Sequence, residues 1–243
     1  MNLKKFSKKA RNKVIIIKTI IMMTKFEREL KEKELKEIEV FKRFPDLIPY
    51  VPENYGEKHK KMLLVWESYY DSWDLLKDKS VEDWYKDADT PKLWELYPSK
   101  AGRHWNFKCK INKDGCDKNG GTFLNPERVL EKFEKEDPYN YCAGYNYFLR
   151  PALKATTLKN TEKDNEEAFK AFQEIVKVIK PDMIAFLSKK AYKSFTKCCK
   201  NTHFDEKIDI QSFVHPASAW WYRKSGKSKD TGEERFEKFI KKW

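Results

Sequence analysis

Cysteine is scarce and poorly spaced for structural work. The five present, Cys109, Cys116, Cys142, Cys198 and Cys199, are odd in number and contain no CxxC pair. That is no disulfide framework, and it fits a reduced, cytoplasmic compartment. His104, Cys109 and Cys116 come nearest to a metal-ligand set, and no metal is expected. A membrane-spanning run is missing as well. Val14 to Met23 is apolar but interrupted by Lys18 and Thr19, too short for a bilayer, and without a small-residue cleavage site. There is no GxGxxG or GxxxxGKS/T stretch, which argues against dinucleotide or P-loop chemistry. No internal repeat is visible.

What the chain does have is positive charge. It carries 51 basic against 38 acidic residues, a net +13. Such an excess favours an anionic partner, nucleic acid or an acidic membrane face, over a merely solvated lysine-rich surface. Aromatics reach 15%, including eight Trp. Beside a basic surface they suit base stacking, although most must be core. The 243 residues fit one sizeable domain with an appended arm. A natural start at Met22 or Met23 would make residues 1–23 a leader or arm, leaving 24–243 as the domain. A monomer is expected.

Residues 24–43 carry the charge pairs and sparse apolar stripe of a helix. Apolar runs predict strands near 62–66, 142–148, 182–187 and 208–214. Helices are expected over 164–179, 188–199 and from Glu233, and one more from Asn125, with Asn125 as N-cap and Pro126 at N1. Residues 108–125 read as a surface turn. Strands alternating with helices imply a three-layer α/β/α fold around a four-stranded parallel sheet. In such a sheet ligands bind at the carboxyl ends of the strands.

Two segments place chemistry there. Lys61-Met62-Leu63-Leu64-Val65-Trp66-Glu67-Ser68-Tyr69-Tyr70-Asp71 reads as a buried strand opening into a polar, aromatic turn. Ile208 to Val214 is a second such run, ending in His215-Pro216-Ala217-Ser218. Proline disfavours helical backbone in the residue before it. His215 is therefore held extended, with its imidazole aimed off the sheet edge, where it can donate a hydrogen bond to a developing oxyanion. Asn146, in an otherwise apolar strand, either reads a pyrimidine edge with its amide or bonds to backbone. Phe107 is a candidate base-stacking ring or a core residue. Trp220, Trp221 and Arg223 could wedge into a disturbed base stack, with one Trp packing back on the sheet. Ser188 and the lysines after it could contact phosphate or simply be solvated.

The pairing of these two segments resembles the signature motifs of the uracil-DNA glycosylase superfamily. The resemblance covers roughly residues 58–224. It implies an enzyme that hydrolyses the N-glycosidic bond of uracil or another modified base flipped out of DNA, without cofactor. His215 would stabilise the departing base anion, and Ala217 and Ser218 would contact a phosphate. Asn146 would read the base and Tyr70 would wall its pocket. Ser68 falls where one branch of the superfamily carries a catalytic Asp, so Glu67 or Asp71 is left to activate water. Trp66 replaces the usual Gly and Tyr69 the usual Pro. The iron–sulfur ligand cysteines of some relatives have no counterpart here. A non-catalytic nucleic-acid-binding module on the same fold is the alternative.

Overall fold

A computed structural model describes residues 27, 29–71, 80–86, 121–153, 158–200, 204, 207–224 and 229–243. Four strands, β1 (Met62–Asp71), β2 (Cys142–Leu153), β3 (Met183–Phe186) and β4 (Asp209–Ser212), form one sheet in the order β2-β1-β3-β4. Every pairing is parallel. A parallel sheet is covered on both faces, and this explains why Met62–Val65 and Met183–Phe186 are continuous apolar runs.

Alternation along the strands divides the core in two. Leu63, Val65, Ala143, Tyr145, Ile184 and Phe186 belong to one cluster, and Met62, Leu64, Cys142, Met183 and Ala185 to the other. The first cluster takes in the N-terminal helices α1 (residues 29–37) and α2 (Glu39–Arg43), α3 (Val81–Lys86), and the two helices that link the last three strands. Those are α5 (Glu162–Ile179) and α6 (Lys189–Cys199). The second is covered by α4 (Gly121–Leu130) and α7 (Gly232–Ile240). The result is the expected three-layer α/β/α sandwich.

Local chemistry sets the helix ends. Thr161 and Asp164 form a capping box on α5, and Thr231 and Glu234 form one on α7. Each such cap is worth about 1 kcal/mol. Helix α5 stops at Lys180, left-handed at φ 48°, followed by Pro181. Asp164 also anchors β2 to α5. Its carboxylate is buried and takes two hydrogen bonds from the Arg150 guanidinium, at 2.8 and 2.7 Å, and one from the Tyr85 hydroxyl at 3.1 Å. Burial pushes this carboxyl upward, but Arg150 and the Thr161 backbone outweigh burial and hold it below its ordinary value.

A depressed carboxyl stabilises the fold above its unfolded pKa of about 4 and loses that contribution as pH falls through the folded value. Asp164→Asn is therefore expected to cost on the order of 3 kcal/mol at pH 7. It should also flatten the stability profile in the acid range, measured by urea unfolding between pH 7 and pH 3. A profile as steep as that of the natural chain would show that other carboxylates control acid unfolding.

Three sequence expectations are corrected. The helix read as starting at Asn125 already includes Gly121, so the last residues of the supposed 108–125 turn are helical, and Pro126 lies inside the helix. The polar turn read after Val65 is strand: β1 continues through Ser68-Tyr69-Tyr70-Asp71. No glycine or proline interrupts it, and β2 runs on past Arg150-Pro151 to pair with it, Tyr70 with Ala152 and Asp71 with Leu153. A register irregularity falls between Ser68 and Tyr70. No helix among the described residues is long and apolar enough to cross a membrane.

Candidate functional site

The carboxyl ends of β1, β3 and β4 converge on one edge. Glu67 comes from β1, Ser188 follows β3 as the N-cap of α6, and His215 lies just beyond β4. The Ser188 hydroxyl donates to Glu67 Oε2 at 2.9 Å and accepts from the Ala191 amide at 3.2 Å. Lys190 Nζ stands 3.8 Å from Glu67 Oε1. Burial holds the Lys190 ammonium below the ordinary lysine range, against the opposing pull of Glu67.

His215 is fixed by the turn that its own sequence builds. Pro216 occupies the second position of a tight turn closed by the Ser218 amide donating to the His215 carbonyl at 2.9 Å. Inside that turn the Ala217 amide donates to His215 Nδ1 at 3.2 Å. A ring nitrogen that accepts carries no proton, so the neutral ring holds its hydrogen on Nε2. Nε2 has no partner among the described residues. Burial lowers the imidazole pKa while the Glu67 carboxylate pulls it upward. The outcome is a half-buried, neutral ring within electrostatic reach of a carboxylate, its Nε2–H without a partner among the described residues. Ser218 adds a buried hydroxyl oxygen with no hydrogen-bond partner among the described residues.

Helix α4 braces the turn from below. Asn125 is buried within it; its amide donates to the Pro216 carbonyl at 2.8 Å and accepts from the Tyr222 hydroxyl at 2.6 Å. Gly121 lets the helix approach, since a Cβ there would sit 3.2 Å from the Ala217 Cα. Pro126 lacks the N–H that would bond the Thr122 carbonyl four residues back. The Trp66 indole supplies the missing donor at 3.2 Å.

Asn125→Ala removes two hydrogen bonds from a buried site. It is expected to cost about 1–3 kcal/mol and to speed amide exchange at Ala217 and Ser218. Exchange rates there equal to those of the natural chain would mean that the turn holds itself.

The remaining candidates divide. Asn146 on β2 is 3% exposed, pairs in register with Trp66, and its amide has no side-chain partner among the described residues. In-register residues of a parallel pair share a face. Asn146 therefore lies on the α4 side with Trp66, whereas Glu67, next along β1, turns toward α6. Ser68 is half-buried opposite Phe148. Tyr70 and Asp71 are described in backbone only, and Asp71 ends β1 four residues beyond Glu67. Phe107, His104, Cys109 and Cys116 lie outside the described residues. Among the described ones no group of His, Cys, Asp or Glu could hold a metal.

Trp220 is 53% exposed, and Ala217 and Arg223 also face solvent. One Trp of the pair was expected to pack back on the sheet, and it is Trp221; one expected phosphate contact, Ser188, is corrected. Trp221 is fully buried against Phe236, ring centroids 5.7 Å apart, and cannot reach a base stack. Ser188 is buried with its hydroxyl committed to Glu67 and to its helix cap. Asn125 was missed as a site residue because Asn-Pro reads locally as a helix start. A glycine pair followed by a helix-competent run from Thr122 was the available signal.

No family model, curated protein or solved structure matches the chain.

Proposed function

We propose that the protein is a DNA glycosylase that hydrolyses the N-glycosidic bond of uracil or another modified base flipped from DNA. The observation that carries this is His215. A neutral imidazole, its proton held on an Nε2 without a partner among the described residues and set at the carboxyl edge of a parallel sheet, is a preorganised donor for an anion. As the glycosidic bond breaks, charge moves onto the base. Donation from Nε2 stabilises that anion without moving a proton. Glu67, oriented by Ser188 and Lys190, is the carboxylate in place to favour the oxocarbenium-like sugar and to hold water. Exposed Ala217 suits a phosphate, and the neighbouring Ser218 hydroxyl, though buried, has no partner among the described residues to give up. Asn146 offers its amide to the base edge, and Trp220 and Arg223 are the side chains available to fill the gap a flipped nucleotide leaves.

DNA is the partner that the +13 charge favours. Each phosphate contact releases counterions, so with about six contacts affinity is expected to fall about 10³-fold between roughly 50 and 200 mM salt, measured by fluorescence anisotropy. Salt-independent affinity would contradict a phosphate-led interface. The reaction is tested by chromatographic detection of free base released from a uracil-containing oligonucleotide.

Binding without excision is the second reading, and Trp66 favours it. The indole occupies the α4 side of β1 level with Asn146, packed 5.6 Å from the Phe123 ring. A glycine at that position would leave the space open for a base.

A further inference from the structure

Lys190 is an oddly placed amine. Its side chain is 28% exposed and its ammonium is partly desolvated, yet Nζ makes no hydrogen bond among the described residues. Its ion pair with Glu67, at 3.8 Å, is beyond hydrogen-bond length. Its neighbour Lys189 differs, with Nζ tied to the Ser212 carbonyl at 2.7 Å and the Ser212 hydroxyl at 2.9 Å. Desolvation is what lets a lysine shed its proton and become a nucleophile toward carbonyl carbon, and at Lys190 it outweighs the Glu67 carboxylate, which favours the ammonium. The same carboxylate interacts with His215. If Glu67 faces the sugar carbon from which the base departs, Lys190 stands within one side chain's reach of that carbon.

We infer that Lys190 is a Schiff-base nucleophile for the aldehyde of an abasic site, giving the protein a strand-cleaving lyase activity. The inference rests on the glycosylase assignment for the source of that aldehyde and for the place of the sugar beside Glu67. The neutral amine attacks C1′ of the ring-opened sugar, and the carbonyl oxygen leaves as water, forming a C1′=N imine. Glu67 removes a proton from C2′. The electron pair from that C–H bond passes through the enamine to form the C2′=C3′ bond and expel the 3′ phosphate. Water then hydrolyses the imine and returns the amine. No oxidant or reductant takes part.

The test supplies the substrate ready-made: a duplex and a single strand each carrying one preformed abasic site, incubated with the full chain and sodium borohydride. Borohydride reduces an imine to a stable amine, so a covalent protein–DNA band is expected on a denaturing gel. Lys190→Ala and Lys190→Arg should lose the band, because a guanidinium does not form the imine, and Lys189→Ala should keep it. A tetrahydrofuran abasic analogue, with no aldehyde, should give none. Absence of the band with the natural chain overturns the inference, as does its persistence in Lys190→Ala or Lys190→Arg. Base release without trapping overturns the lyase alone. Lys190-dependent trapping without base release upholds it and sinks the glycosylase assignment instead.

Discussion

His215→Ala is expected to slow base excision by about 10²–10³-fold, the usual consequence of removing one preorganised donor to a developing oxyanion. DNA affinity should change little, because phosphate contacts dominate it and the imidazole makes none of them. The loss should appear in the single-turnover rate at saturating protein. His215→Gln should recover only part of it, since an amide donor is not held by the Ala217 amide as Nδ1 is. The pH dependence follows from the same geometry. Burial lowers the imidazole pKa, so the neutral ring persists further into the acid range than an exposed histidine would. Activity should therefore hold as pH falls through the ordinary histidine range and decline only below it. Full activity in His215→Ala would make the imidazole structural.

The largest effect on stability is expected at Trp66. The indole is buried, packs against Phe123 and donates to the Thr122 carbonyl that Pro126 leaves free. Trp66→Gly, which installs the residue usual in the resembled superfamily, removes this packing and adds strand flexibility. Large-to-small changes of this kind cost about 3–5 kcal/mol. For a domain of this size that lowers Tm by on the order of 10 °C. A melting temperature equal to the natural chain's would mean that α4 does not depend on the indole. Higher excision activity in a folded Trp66→Gly protein would identify Trp66 as the obstacle in the base slot.

Legibility in the sequence followed the range of the interactions. Met62–Val65 and Met183–Phe186 were readable because burial on both faces demands unbroken apolar runs. The α5 stripe was readable because its period is local. The continuation of β1 to Asp71 was not, since it depends on β2 extending to meet it from far along the chain. The same is true of Asn125. Asn-Pro is locally a helix start, and only the approach of the His-Pro turn makes it a brace. Of the candidate site, His215 and Glu67 were legible from the strand ends that carry them, and the structure brings them within electrostatic reach. Trp220 and Trp221 are adjacent in sequence, and only packing against α7 separates the exposed ring from the buried one.

The most direct measurement is a time course of base excision on oligonucleotides carrying uracil, hypoxanthine or hydroxymethylcytosine, single- and double-stranded, with alkali cleavage of the abasic sites formed. At least one modified base should be excised by the natural chain, with the rate falling by about 10²–10³-fold in His215→Ala. DNA binding with no excision of any base on the panel would contradict a glycosylase and leave a binding module whose base slot Trp66 fills.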